Sequence, residues 1–130
     1  MVRLQSRRFA ADPRDIASVR AFVREAVQGV DEEMADDIEL LASEVATNVV
    51  EHAHTDYQVR VRQEEGAIRV EVADGSSVIP AVRSLALNAD RGRGLMLLEH
   101  MADSWGAQEA PDGKIVWFEM ARPDSPLAPD

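Results

Sequence analysis

The residues of this sequence best suited to chemistry are Glu44 and Asn48, a carboxylate and an amide one helical turn apart. They lie in the segment 40–53, whose apolar side chains recur at helical spacing. At about 100° per residue, Asn48 projects just inside the apolar sector and Glu44 about 40° beyond its border. A helix that only hid a core would place Leu or Ala there, because an unpaired buried amide costs about 1–3 kcal/mol. The pattern therefore indicates that some group meets these polar side chains where the helix touches the rest of the protein, and a metal-bound nucleotide is one candidate.

The chemistry that this pair favours is metal-assisted phosphoryl transfer. An amide oxygen is a hard, neutral ligand for Mg²⁺, which completes its shell with phosphate and water. A carboxylate one turn away can accept a proton from a hydroxyl or water nucleophile. The structural alternative leaves Asn48 bonded to neighbouring backbone and Glu44 solvated. His52 lies centrally in the apolar sector and is expected to be a core histidine rather than a ligand.

Two glycine-containing segments can hold the two ends of a nucleotide. Asp74-Gly75 follows a strand pattern; its carboxylate can accept hydrogen bonds from the amine of adenine, and the glycine permits close approach of a ring. Gly92-Arg93-Gly94 precedes a helix, where backbone N–H groups and the positive helix end favour a phosphate. Either segment alone can also be an ordinary turn or loop end.

The elements that must position these residues follow from hydrophobic periodicity and turn chemistry. Alternation predicts strands over 2–9, 57–62 and 68–72, another that begins at Trp105, and a last one over 115–120. Helical spacing and capping residues predict helices from Asp12 to Gly29, from Asp31 to Ala53 and over 95–103. Residues 76–91 read as a long loop. This order implies an α/β sandwich (α+β) with a mixed, mostly antiparallel sheet and helices on one face.

The composition restricts the classes of function. A length of 130 residues fits one domain. The absence of cysteine excludes disulfides and thiolate metal sites and suits a cytoplasmic protein. No apolar run approaches the roughly 18 residues of a membrane span, and we expect no signal peptide. A net charge of −10 disfavours direct binding to nucleic acid or a membrane surface. A nucleotide needs only a local cluster of donors.

Taken in order, these segments resemble the GHKL (Bergerat-fold) ATPases, and among them the small bacterial anti-sigma factor kinases. Residues 43–53 look like the N box, 72–77 stand where the first glycine box belongs, and 91–95 resemble the second. Segments 102–106 and 112–119 are also similar to family members. The resemblance implies a Bergerat ATP-binding fold in one histidine kinase-like ATPase domain over 1–121. Residues 122–130, with three prolines, are expected to form a disordered tail.

The resemblance also implies a role for each matching residue. Glu44 would be the general base, Asn48 the Mg²⁺ ligand, and Asp74 with Gly75 the adenine-binding pair. The residues around the ATP phosphates would be Gly92, Arg93, Gly94 and Leu95.

The activity implied by the resemblance is partner switching. An ATP- and Mg²⁺-dependent serine/threonine kinase would phosphorylate an anti-anti-sigma partner and alternately sequester a sigma factor. The alternative is a non-catalytic anti-sigma or adaptor module with weak or lost nucleotide binding. A homodimer is compatible with the resemblance.

Departures from the family's pattern motivate that alternative. The first glycine box usually reads Asp-x-Gly-x-Gly, whereas Ser76 and a non-glycine follow Asp74-Gly75 here. Members commonly carry a threonine after the lysine near the last strand, whereas Ile115 lacks a hydroxyl that could support the contact between Asp74 and adenine. Both changes lower the expected ATP affinity. Lys114, the only lysine, can reach a phosphate or be solvated, and the turn beside it slightly favours solvation.

Overall fold

The computed structural model describes residues 2–76 and 96–121. Its strands are β1 (Arg3–Phe9), β2 (Tyr57–Glu64), β3 (Ala67–Asp74), β4 (Ser104–Ala110) and β5 (Gly113–Ala121). Its helices are α1 (Ile16–Ala26) and α2 (Glu32–Asn48), and residues 96–101 are also helical. Residues 77–91 of the predicted loop, the second glycine segment and the tail over 122–130 lie outside the described residues.

The five strands form one sheet in the order β1-β2-β3-β5-β4, and every described pairing is antiparallel. Alternation along the strands gives the sheet one apolar face, because successive side chains point to opposite sides. The buried apolar residues of this face are Val59, Val61, Ile68, Val70, Val72, Val116, Phe118 and Met120. The prediction of an α+β fold with a largely antiparallel sheet is confirmed.

The helices cover the apolar face of the sheet. α1 buries Val19 and Val23, and α2 buries Ile38, Leu41 and Val45. α1 contacts α2, β1 and β2, whereas α2 contacts β3. α2, the helix that contains Glu44 and Asn48, therefore packs against the middle strand of the sheet. No described helix combines the length and the apolar composition needed to cross a bilayer.

The opposite face of the sheet is charged. The Arg69 guanidinium donates to Glu71 and Glu119, each at 2.9 Å, and lies 4.2 Å from the centroid of the Trp117 ring. These side chains stand on the solvent side, away from the helices, because their strand positions alternate with the buried ones. The candidate functional residues on the strands therefore belong to the helix-covered side.

Both helix starts use the capping residues that the sequence predicts. Asp12 Oδ1 accepts a hydrogen bond from the Arg14 N–H at 2.9 Å, and a single 3₁₀ turn over Pro13–Asp15 leads into α1. Asp31 Oδ1 accepts from the Met34 N–H at 2.8 Å and so satisfies one of the free donors at the start of α2.

α2 does not end as a regular α-helix. Residues Val49–Ala53 wind as a π-helix, and His54 stops it in the left-handed conformation with φ 58°. The wider turn rotates the following side chains away from the sector that 100° spacing predicts. The His52 side chain is 35% exposed. The prediction that His52 is a core histidine is therefore wrong.

The cap at Asp31 gives a direct test of how α2 is held. Asp31→Ala removes the acceptor of the Met34 N–H and should lower the free energy of unfolding by about 1 kcal/mol. Asp31→Asn is the matched control, because its amide oxygen can still accept that hydrogen bond. Urea denaturation measures both variants, and an equal loss in the two would contradict a capping role.

Candidate functional site

The site is built around Asp74, the last residue of β3. In register beside it stand Tyr57 on β2 and Lys114 on β5. The three residues are 7%, 1% and 7% exposed, respectively. A carboxylate, a phenol and an ammonium thus lie in one buried row at the end of the sheet. Polar groups are rarely buried together unless they pair with one another or with a ligand.

Asp74 and Lys114 form a buried ion pair. Lys114 Nζ donates to Asp74 Oδ1 at 3.0 Å and lies 2.9 Å from Oδ2. The Ser76 N–H also donates to Oδ1, at 2.7 Å. Oδ2 contacts the same ammonium but accepts no further hydrogen bond from the described residues. Oδ1 therefore accepts two hydrogen bonds, whereas the described partner of Oδ2 is the charge of Lys114.

The position of Lys114 corrects the preference for a solvated side chain. Lys114 faces the same side of β5 as Val116 and Phe118, so strand alternation takes it under the helices. Ile115 pairs with Ala73 and lies on the other side of the sheet from Asp74. The expectation that a hydroxyl at position 115 could support Asp74 is therefore wrong, because residue 114 and not residue 115 stands next to this carboxylate.

A hydrogen bond connects the segment that follows α2 to the end of β3. The Gly75 N–H donates to Thr55 Oγ1 at 2.9 Å, and Thr55 follows the π-helical turn that extends α2. Because α2 also packs on β3, the helix with Glu44 and Asn48 is held against the strand that ends at Asp74. The fold thus brings the two described parts of the predicted site to neighbouring elements.

Glu44 and Asn48 keep the half-buried positions that their helical phase predicts, with Val45 and Ala46 buried between them. Asn48 is the last residue of α2, where the π-helical turn begins. Residues 2–76 and 96–121 contain no group of three or more His, Cys, Asp or Glu side chains that could hold a metal ion. Mg²⁺ in proteins usually takes only a few protein ligands and completes its shell with phosphate and water. The catalytic and metal-binding roles of this pair stay predictions.

Gly113 is a structural residue of the site that sequence reasoning assigned only to a turn. Its φ is +155°, and an added Cβ would lie 1.9 Å from the carbonyl oxygen of Asp74. The backbone of β5 thus contacts the backbone at the end of β3, directly before Lys114. Gly75 differs, since an added Cβ would meet Thr55 at an ordinary 3.5 Å. Local packing requires the glycine at 113 but not the one at 75.

The remaining predicted residues, Gly92, Arg93, Gly94 and Leu95, lie outside the described residues. Their phosphate-binding role stays a prediction. The adenine-binding role of Asp74 also stays a prediction; its Oδ2 is a buried acceptor that contacts Lys114 and accepts no other hydrogen bond from the described residues. Such an oxygen can accept a hydrogen bond from the exocyclic amine of adenine, which is a neutral donor.

Comparison with known proteins identifies the family of the chain. A family model described as histidine kinase-like ATPase domain matches residues 9–120. The match spans both helices, the strands from Tyr57 onward and all candidate residues named above. No curated protein matches the chain.

Tyr57 offers a spectroscopic test of this buried row. Burial, reinforced by the negative charge of Asp15, raises the pKa of Tyr57 to about 12. Its hydroxyl has no hydrogen-bond partner among the described residues. Because Tyr57 is the only tyrosine, tyrosinate absorbance reports this group alone. We expect ionisation near pH 12 in the folded protein and near the ordinary value of 10 after unfolding in urea.

The same pKa shift predicts how stability depends on pH. Because the folded state raises the phenol pKa, neutral Tyr57 contributes stability that is fully present below pH 10. This contribution to the free energy of unfolding is lost as the pH rises through 12. Tyr57→Phe should remove this alkaline loss and, by deleting a buried unpaired hydroxyl, should raise neutral-pH stability by about 1 kcal/mol. Thermal unfolding at several pH values measures both effects. A destabilised Phe variant would show that the hydroxyl has a partner.

Gly113 should be far less tolerant of a side chain than a glycine in an open turn. Gly113→Ala creates a clash with the Asp74 carbonyl and should cost about 3 kcal/mol or more. Gly66→Ala is the control: its φ is +87° with nothing within 4 Å of an added Cβ. Backbone strain alone should cost that variant about 1–2 kcal/mol. Urea denaturation compares them, and equal losses would contradict a packing role for Gly113.

Proposed function

The chain belongs to the histidine kinase-like ATPase domain family, and we propose that it is an ATP- and Mg²⁺-dependent regulator of the anti-sigma factor kinase type. In this proposal it phosphorylates a serine or threonine of an anti-anti-sigma partner and alternately sequesters a sigma factor. The observation that carries the proposal is the buried Asp74 carboxylate at the end of β3, whose Oδ2 contacts the Lys114 ammonium at 2.9 Å and accepts no other hydrogen bond from the described residues. Adenine presents a donor of the required kind.

Each described residue has a role in this proposal that follows from its chemistry. Bound Mg-ATP supplies the phosphoryl group. Asp74 orients the base, and the amide oxygen of Asn48 is a ligand for the cation. Glu44, one turn before Asn48, accepts the proton of the acceptor hydroxyl. Gly92, Arg93, Gly94 and Leu95 enclose the phosphates in this proposal, on the strength of the sequence alone.

The connections between elements support a common site for these residues. Glu44 and Asn48 lie on one rigid helix, so their separation is fixed by the helix itself. The hydrogen bond between Gly75 and Thr55 fastens the end of that helix to the end of β3. The proposed base-binding residue and the residues proposed for phosphate chemistry therefore lie on elements that are joined directly. Preorganisation of this kind reduces the entropic cost of reaction.

A second candidate function is a non-catalytic anti-sigma or adaptor module. The observation that favours it is the ammonium of Lys114, which already pairs with Asp74. Ser76 in place of a further glycine points in the same direction, because a side chain there restricts approach of the backbone to a ligand. In this alternative the chain binds its partner without nucleotide. The two functions differ in whether Mg-ATP changes the partner complex.

The proposed setting follows from the proposed partners. A regulator that acts on sigma factors works in the cytoplasm, in contact with protein partners rather than with nucleic acid or membrane. The net charge of −10 suits that expectation, since phosphate-rich surfaces repel an acidic protein. Homodimerisation remains part of the proposal through the family resemblance.

Substitution of the proposed base tests the kinase function. With Mg-ATP and the cognate anti-anti-sigma protein, we expect phosphate transfer by the wild type and a roughly 100-fold slower rate for Glu44→Gln. Glu51→Gln is the matched control, because Glu51 is a more exposed carboxylate on the same continuous helical segment. Its rate should equal that of the wild type. Radiolabelled phosphate on the partner gives the rates, and melting temperatures confirm folding.

The partner complex decides between the two functions. Tight binding of the anti-anti-sigma or sigma protein that is indifferent to Mg-ATP, with no phosphate transferred by the wild type, would reject the kinase in favour of the binding module. A rate for Glu44→Gln equal to the wild-type rate would reject the role of Glu44 alone. Both measurements use the full chain.

A further inference from the structure

Lys114 holds an unusual place for a lysine in a nucleotide site. It is the only lysine of the chain, its side chain is 9% exposed, and the side chain of its partner Asp74 is 0% exposed. Nζ lies within 3.0 Å of both carboxylate oxygens. The ammonium therefore covers the functional end of the carboxylate from the side of β5. No ligand group can contact Asp74 from that side while Lys114 stays in place.

An ammonium and the exocyclic amine of a nucleobase make the same kind of contact with a carboxylate. Each presents N–H donors at about 2.7–3.2 Å from an oxygen, and the charged donor makes the stronger hydrogen bond. From these contacts we propose that Lys114 competes with the exocyclic amine of the nucleotide base for Asp74 and thereby sets the affinity of the site. This inference rests on the proposed function, in which Asp74 binds the base.

The electrostatics of the pair explain why the competition lowers affinity. A buried carboxylate is costly without a counter-charge, and the amine of a base is neutral. A base that displaces Lys114 therefore replaces a cationic partner with an uncharged one. The flexible four-carbon stem allows lysine to leave, which a rigid side chain could not do. The resting state keeps Asp74 paired, and nucleotide binding must overcome that pairing.

The sheet supplies a second carboxylate for the displaced ammonium. Glu109 on β4 stands opposite Lys114 in the register and is exposed. Residues directly opposite on antiparallel strands have Cβ atoms about 4.5–5.5 Å apart, within reach of a lysine side chain. Lys114 can therefore exchange Asp74 for Glu109 and move from a buried to a hydrated environment. The exchange changes the environment of one amine, which can be observed directly.

The wild-type protein tests the proposal because its lysine is unique. Lysine labelled with ¹³C and ¹⁵N gives one side-chain resonance, and acylation modifies only Lys114 and the N-terminal amine. With saturating Mg-ADP, we expect the resonance to move to the position of a solvated lysine. The acylation rate of Lys114 should rise about tenfold relative to that of the N-terminal amine. This is the change expected if nucleotide binding shifts the equilibrium between paired and released Lys114 by the same factor.

A substitution tests the effect on affinity. Lys114→Thr removes the ammonium while its hydroxyl can still donate to Asp74, and it should bind Mg-ADP at least about tenfold more tightly than the wild type in calorimetry. Ile115→Thr introduces the same residue on the other side of the sheet and should leave the affinity unchanged. Thermal unfolding shows whether each variant folds. The lysine resonance in the wild type decides the matter if Lys114→Thr does not fold.

The outcomes separate the inference from the function on which it rests. If Mg-ADP binds the wild type while Lys114 keeps its resonance and its reactivity, the inference fails and the ATP-binding function survives. Weaker binding by folded Lys114→Thr also overturns the inference, because Lys114 would then contact the nucleotide favourably. If neither the wild type nor folded Lys114→Thr binds Mg-ADP, the proposed function fails and takes the inference with it. Binding by the variant alone supports the inference and favours the non-catalytic function for the natural chain.

Discussion

The buried ion pair between Asp74 and Lys114 is the interaction on which the arrangement of the site depends. Removing two charges from water costs roughly several kcal/mol per ion. Only close pairing of the charges, with additional hydrogen bonds, offsets this desolvation cost. The Ser76 N–H supplies one such bond, and the side-chain-free backbone of Gly113 lets β5 come close enough for Lys114 to reach Asp74. The carboxylate, its counter-ion and the tight approach of β3 and β5 therefore form one unit. A change in any of the three alters the others.

A second unit, on the helical side, is coupled to the first. α2 carries Glu44 and Asn48, and its π-helical extension leads to Thr55, which accepts a hydrogen bond from Gly75 directly after Asp74. The sheet positions Asp74, and the helix positions Glu44 and Asn48. Each belongs to an element with its own buried contacts, so neither depends on a ligand for its place. Such division between a sheet and a covering helix is what an α+β architecture makes possible.

The sequence predicts the elements well because their signals are local. Capping by Asp31, alternation along β2 and β3, and helical spacing along α2 are each readable within a few residues, and all are confirmed. The prediction of a buried His52 is wrong because the π-helical turn breaks the uniform spacing that the prediction assumes. The preference for a solvated Lys114 is wrong for a different reason. Its inward phase is visible in the pattern Lys114, Val116, Phe118, but its partner depends on the pairing of β5 with β3. Strand order and register are long-range properties, and turn chemistry beside a residue cannot supply them.

The strand order also determines when the site can exist during biosynthesis. Asp74 and Lys114 are separated by 40 residues, and their strands are neighbours in the sheet although they are not consecutive in the chain. A nascent polypeptide that has released β1, β2, β3 and both long helices still lacks the cation for its carboxylate. Any fragment that ends before the final hairpin has the same defect. The buried ion pair of this molecule is therefore completed only with the last strand, whatever part of the fold has formed before it.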